Sequence, residues 1–422
     1  MKKAFCLLLC LFLLCLSGCT QKNGSESSNI SSNISSDISS SDDITQSSST
    51  VTSQNSSQVS SSSAITSSAV SVTTSSEVSE QEPTLTLEDK ISRLFIVKPV
   101  SLNLDPASGK VISVGLTQIN QNIKTALKKY KVSGVILFDV NIANKQQLSA
   151  FTAELKKASS LPLFVSVDEE GGRVSRVINK FGYSNPGPAL YLETPEKVKK
   201  AYADITAVIS SHGFNLNYAP VADIYTNPQN TVIGSRAFGS DPETVSKLLL
   251  AAMEGHKSIP HCIKHFPGHG DTSEDTHNGA VTLNKTWDEL LSCEIIPFKA
   301  AIEQNCDMIM ASHIILPNVT TDKLPTSLSY EMITGKLRNE LGFNGVVITD
   351  SMVMGAIEQH YSSGQAAVMA VKAGVDLILC PADLAESHTA ILKAVQNGEI
   401  TEKRIDESVN RIDALFKKYK IS

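Results

Sequence analysis

The chain has 422 residues, 41% of them apolar and 5% aromatic, with a formal net charge of −6. Acids and bases are interspersed along it, so no basic stripe of the kind that tracks a nucleic acid is present, and no nucleic-acid partner is expected. The apolar residues are unevenly spread, which divides the chain into three parts of different physical character.

Two lysines (Lys2, Lys3) precede an apolar run from Ala4 to Leu16, which ends in Leu16-Ser17-Gly18-Cys19. A basic start, a short apolar core and small residues describe a secretion signal. The run is shorter than the ~20 residues needed to span a bilayer. The tetrad resembles the bacterial lipoprotein box, which implies a signal over residues 1–18, lipidation of Cys19 and an extracytoplasmic chain anchored to the cell membrane by lipid. Residues 19–82 are dominated by Ser with Thr, Asn and Gln, carry no aromatic residue and show no hydrophobic period. Such a composition cannot offset the entropy of ordering, so a disordered, Ser-rich tether is expected.

The rest, residues 83–422, suits one α/β domain. Short apolar runs at 93–100, 132–139, 162–168, 214–224, 261–266, 307–313, 345–350 and 374–380 alternate with amphipathic stretches at 145–159, 195–212, 242–257, 286–305, 330–341 and 364–373. Buried strands alternating with helices predict a parallel sheet covered on both faces, and eight such strands suggest a closed (β/α)8 TIM-type barrel. Asp139, Asp168, Asp223, Lys264-His265, His313 and Asp350 fall at or near the C-terminal ends of these runs, the face on which barrels assemble chemistry. Cys262, Cys293, Cys306 and Cys380 lack metal-type spacing; an even count in an exported chain permits disulfides, but Cys262 and Cys380 lie in strand-like runs and read as buried free thiols.

Four segments carry the chemistry. Residues 167–176 run from a strand end (Asp168) through Gly171-Gly172 to Arg173 and Arg176; the glycines would let the backbone approach a ligand. Residues 233–239 present Arg236. Residues 264–277, Lys-His-Phe-Pro-Gly-His-Gly-Asp-Thr-Ser-Glu-Asp-Thr-His, end in Asp275-Thr276-His277. In an extended segment Asp275 and His277 would share a side, so the carboxylate could hold one imidazole nitrogen and leave the other for proton transfer. Gly268 and Gly270 would make this loop mobile. Residues 342–356 deliver one carboxylate, Asp350, from a buried strand, as a glycosyl-enzyme mechanism needs.

These segments resemble glycoside hydrolase family 3, and within it the NagZ-type β-N-acetylglucosaminidases, over Leu85 to Phe416. The resemblance implies a retaining β-N-acetylhexosaminidase without a cofactor or metal, acting on N-acetylglucosamine-containing oligosaccharides or muropeptides and able to stand as a monomer. It puts Asp350 on the family nucleophile, His277 on the acid/base and Asp275 on its dyad partner. Asp168, Arg176, Arg236, Lys264 and His265 fall on the positions that hold the sugar, with Arg173 and His313 as supports. Thr276 stands where Ser is common, and Ser351 where relatives often carry an acid or a small residue. The alternatives are a β-glucosidase or phosphate-dependent glycosidase of the same family, a metal-dependent hydrolase using His265, His269, Asp271, Asp275 and His277, and a surface lipoprotein that binds sugar without catalysis.

Overall fold

The computed structural model describes residues 85–422 except 106, 108–111, 113, 114 and 274. The signal, Cys19 and the Ser-rich tether lie outside the described residues. All eight expected runs contain a strand: β1 (Phe95–Val97), β2 (Gly134–Ile136), β3 (Phe164–Val167), β4 (Leu216–Asn217), β5 (Cys262–Phe266), β7 (Met308–Ala311), β9 (Val346–Thr349) and β10 (Ile378–Leu379); β6 (Val281–Thr282) and β8 (Ile314–Ile315) form a separate pair.

The strands pair in parallel as a five-stranded sheet, β10-β1-β2-β3-β4, and a three-stranded sheet, β5-β7-β9. The continuous eight-strand ladder expected from the sequence is not formed. At one seam the sheets meet through single bridges, Asn217 with His261 and Val221 with Lys264, and at the other through Ile348 with Leu377. Proline explains the first seam. The run expected over 214–224 carries Pro220, which cannot donate to a ladder, so the regular strand stops at Asn217. At the second, residue 374 is a glycine at φ +112° that caps the helix Ser363–Ala373, which leaves β10 only two regular residues.

Side chains alternate across the strands. Phe95, Val97, Val165, Val167, Ile309, Ala311 and Val347 pack outward into the large core beneath the helices. Ile96, Ile136, Phe164, Leu216, Cys262, Met308, Met310, Val346, Ile348 and Leu379 face a second buried cluster to which all eight of these strands contribute. The last helix, Glu402–Lys418, closes that cluster with Ile412, Leu415 and Phe416, the Phe416 ring stacking on Phe164 at 4.0 Å. Sites therefore gather at the opposite, C-terminal ends of the strands.

Two helices depart from expectation. The stretch 286–305 is two helices, Trp287–Leu291 and Ile295–Glu303; Pro297 sits in the first turn of the second, where its missing N–H costs nothing. Glu331–Glu340 winds with π-type bonds. Cys262, Cys293, Cys306 and Cys380 are free. Among the described residues, no helix is long and apolar enough to cross a membrane.

Candidate active site

A cavity of about 410 Å³ opens at the C-terminal ends of the strands, lined among others by Asp168, Arg176, Arg236, Lys264, His265, His277 and Asp350. Seven of the eight residues singled out as catalytic or sugar-binding thus share one space. The eighth, Asp275, stands behind His277.

Strand β3 delivers alternate residues to this space. Asp168 and Glu170 line it, whereas Glu169 turns away and accepts the backbone N–H groups of Arg176 (3.0 Å) and Val177 (2.7 Å), pinning the returning loop. Gly171 and Gly172 sit at φ +85° and +58°, and a Cβ on Gly172 would meet Pro188 Cα at 2.8 Å. Both supply a left-handed turn that residues with a Cβ rarely adopt.

Glu170 is the residue that motif reading missed. Its carboxylate accepts two bonds from Arg236, from Nε and Nη2 at 2.8 Å each, and pairs with Lys264 at 2.6 Å. Lys264 also reaches Asp168 at 2.8 Å. Burial opposes ionisation of Glu170, but the two cations outweigh it and hold the carboxyl far below the usual carboxylate range. Burial likewise works against the Lys264 ammonium, and Asp168 and Glu170 reverse the effect and raise its pKa. Two carboxylates and two cations thereby form a compact network on one wall.

The next wall is set by a fully buried carboxylate, Asp223. It accepts His265 Nδ1 at 2.6 Å and the backbone N–H groups of His265 and His269. Burial raises the Asp223 carboxyl and the neighbouring imidazoles more than compensate, so it stays below its ordinary value. With Nδ1 committed, His265 turns Nε2 toward Arg236, 3.4 Å away. Arg176 pairs with Asp139 at 2.9 Å while its Nε is buried without a partner, a donor left for a ligand. Arg173 instead binds the carbonyls of Thr231, Val232 and Ile233, supporting the loop that carries Arg236.

Asp350 follows β9 and accepts the Ser351 N–H at 2.7 Å. Burial disfavours its charge, yet the His265 and His313 imidazoles prevail and hold its carboxyl below the ordinary value. His313 braces this turn, with Nε2 donating to the Ser351 carbonyl at 3.1 Å and Nδ1 facing the Ser327 hydroxyl at 2.8 Å.

Asp275 Oδ1 accepts both the backbone N–H of His277 (2.9 Å) and its Nδ1 (2.7 Å). The expected contact exists, but the backbone is a turn closed by Asn278 N–H to Asp275 O rather than an extended segment. An aspartate bonding backbone two residues on is what brings the pair together. The His277 side chain is 67% exposed, and Nε2 is left free for proton transfer. The Asp275 carboxyl is opposed by burial, and its bonds to His277 lower it below its usual value.

The loop that carries this pair is fastened along its length. Asn230 donates to the His269 carbonyl, Thr226 and Lys285 bind Asp271, and His269 meets the hydroxyls of Thr272 and Thr276. At its end, the Thr276 and His277 carbonyls accept the N–H groups of Ala356 and Gly355, just beyond Asp350. Gly270 lies so close to Ile224 that an added Cβ would stand 1.8 Å from the Ile224 carbonyl oxygen. The sequence suggested mobility for this glycine; its structural role is close backbone packing. Gly270→Ala is therefore expected to lower kcat at least about tenfold by displacing the loop. Gly279→Ala, whose Cβ would meet nothing nearer than 4.0 Å, is expected to stay within about twofold. Steady-state kinetics on both variants checks this, and equal effects would remove the packing argument.

Among the described residues, no group of three or more His, Cys, Asp or Glu is placed to hold a metal ion. Of the residues close in sequence, His265 turns to Asp223, His269 to Thr272 and Thr276 and Asp271 to Thr226 and Lys285, while Asp275 and His277 bind each other.

Residues 86–415 match the family described as "Glycosyl hydrolase family 3 N terminal domain". The chain is 32% identical over 332 residues to the Beta-hexosaminidase A of Pseudoalteromonas piscicida, covering 71% of this chain and 56% of that one. It is 35% identical over 300 residues to a Beta-hexosaminidase of Stenotrophomonas maltophilia, covering 68% and 86%. A solved glycoside hydrolase family 3 beta-N-acetylglucosaminidase from Paenibacillus superposes with a TM-score of 0.74 at 35% identity, over 80% of this chain and 63% of that one. The chain thus spans a little over half of the first relative and most of the second. With a match that covers most of its length, the chain belongs to glycosyl hydrolase family 3.

Proposed function

We propose that this chain hydrolyses terminal β-linked N-acetylglucosamine with retention of configuration, using Asp350 as nucleophile and His277 as acid/base. One observation carries the reading. A carboxylate kept ionised and an imidazole with one nitrogen committed to Asp275 line the same cavity. The names borne by the relatives supply the sugar.

In the first step an Asp350 oxygen attacks the anomeric carbon while the bond to the leaving oxygen breaks and His277 Nε2 gives that oxygen its proton. In the second, His277 takes a proton from water, which displaces Asp350 and frees the sugar with its β configuration. Asp275 steadies the imidazolium that gives up its proton in the first step and is regenerated in the second. Asp168, Arg176, Arg236, Lys264 and His265 hold the sugar, and Glu170 keeps the cations of that wall in register. Support for a (β/α)8-type barrel comes from the inner cluster shared by eight strands and the bridges at both seams. The wider reading comprises a lipid-anchored chain (Cys19), a tether over 19–82, a catalytic domain over 83–422 and muropeptides as substrate; it rests on the sequence and its resemblance to the family.

The test is leaving-group dependence in His277→Ala. Hydrolysis of a disaccharide with a poor leaving group is expected to fall by roughly 10²–10⁴-fold, and that of an activated aryl N-acetylglucosaminide much less. Uniform loss on both would deny His277 the acid role. Aryl β-glucoside, and release of sugar 1-phosphate when inorganic phosphate is added, separate the two neighbouring activities in the family.

A further inference from the structure

Asp271 has no place in the mechanism, yet it is tied to two segments outside its own loop. Thr226, on the connection after β4, donates its hydroxyl to Asp271 Oδ1 at 2.8 Å. Lys285, on the connection after β6, places its ammonium 3.0 Å from Asp271 Oδ2. The same ammonium donates to Glu294 Oε1. Glu294 is fully buried and its other carboxylate oxygen has no hydrogen-bond partner; among the described residues its one ion-pair partner is Lys285. Burial works against the Lys285 charge, and pairing with Glu294 and Asp271 reverses the effect and raises its pKa.

Glu294 is fixed to the body of the fold. It immediately precedes the helix Ile295–Glu303, whose Phe298 packs edge-on against Phe266 of β5 with ring centroids 5.5 Å apart. The root of the loop rests on it too, since a Cβ on Gly268 would stand 2.8 Å from Glu294 Cβ. A carboxylate withdrawn from water needs a partner in close reach, and the ammonium that satisfies Glu294 is the one that also holds Asp271. None of Asp271, Lys285 and Glu294 lines the cavity, so the bridge acts on the loop and not on the sugar. The imidazole of His277 is bound to Asp275, a residue of the same loop. The pair is therefore placed against Asp350 only as well as the loop itself is placed.

We propose that Asp271 is the positioning residue of the acid/base loop, tied through Lys285 to the buried carboxylate of Glu294, and that this ionic bridge sets how well His277 reaches the leaving oxygen. The inference rests on the acid/base role proposed above for His277. The experiment measures kcat/KM of Asp271→Asn on a β-linked N-acetylglucosamine disaccharide and on the dinitrophenyl β-N-acetylglucosaminide, whose leaving group departs without a proton. The disaccharide is expected to lose about tenfold, as a small misplacement of a catalytic group costs, and the aryl glycoside no more than about twofold. In the His277→Ala background the same substitution should change neither substrate by more than about twofold, because the group it positions is gone. Lys285→Met should copy Asp271→Asn, the two together should be no worse than either alone, and Lys285→Arg should keep most of the wild-type rate on the disaccharide. Asp271→Asn leaves Lys285 with Glu294, so it carries the test even where Lys285→Met, which strands a buried carboxylate, does not fold. A merely structural bridge would lower the melting temperature and leave the ratio between the two substrates at its wild-type value, which would overturn the proposal. An undiminished loss in the His277→Ala background would do the same. Uniform loss of both substrates in His277→Ala itself would instead strike the acid/base role beneath it.

Discussion

Asp350→Ala is expected to reduce kcat on an aryl β-N-acetylglucosaminide by about 10⁴-fold or more, with the fold retained. Without that carboxylate no glycosyl-enzyme forms, and water has no base on that face of the sugar. The space vacated by the side chain gives the direct check. Azide entering there should displace the aryl oxide from the nucleophile's side and yield an α-glycosyl azide. In His277→Ala the covalent intermediate still forms, and azide should intercept it from the opposite face to give the β product. Opposite stereochemistry from the two variants would assign the roles, and the same azide anomer from both would refute the assignment. A further expectation concerns pH. The imidazoles that hold the Asp350 carboxyl below its ordinary value keep it ionised as pH falls, so its acid limb in kcat/KM should lie below the usual carboxylate range. A limb at higher pH would belong to another group.

The sequence was informative where function depends on a strand end. Alternation of buried runs and helices located all eight strands, and the rim position of Asp168, Lys264, His265 and Asp350 follows from those runs. What it could not convey was which atoms pair across the chain. In Asp168-Glu169-Glu170 three acids stand in a row, and only the alternation of β3, carried past its last ladder residue, sends the first and third into the cavity and the second to backbone amides. That signal was present and could have identified Glu170. The turn at Asp275–Asn278 had no comparable signal, because a two-residue spacing suits either an extended segment or an aspartate turn. The glycines are ambiguous for a similar reason. Gly270 allows a close approach to Ile224, and Gly172 supplies a left-handed turn against Pro188; composition alone does not distinguish either from flexibility. Ladder closure was also beyond reach, since Pro220 and the cap at Gly374 act on hydrogen bonds rather than on the hydrophobic pattern.

Glu170→Gln should also produce a large effect, and its cause is electrostatic rather than chemical. The substitution keeps size and removes the one charge shared by Arg236 and Lys264, leaving two buried cations with Asp168 alone between them. Breaking one side of a buried ion pair typically costs ~3–5 kcal/mol. Part of that would appear as lost stability. The rest should appear as a raised KM and a lowered kcat as the guanidinium and ammonium leave the positions in which they meet the sugar, on the order of 10²-fold in kcat/KM. The pH dependence distinguishes this from a packing defect. Because the folded carboxyl lies far below its unfolded value near ~4.3, the stabilisation it brings is fully present above that value. It is lost progressively as pH falls from that value toward the folded pKa. The wild-type chain should therefore lose this contribution in acid while Glu170→Gln, already without it, does not. The gap in melting temperature between the two should be widest near neutrality and shrink toward low pH. A gap that stayed constant from neutrality into strong acid would mean that Glu170 holds its wall by shape and not by charge.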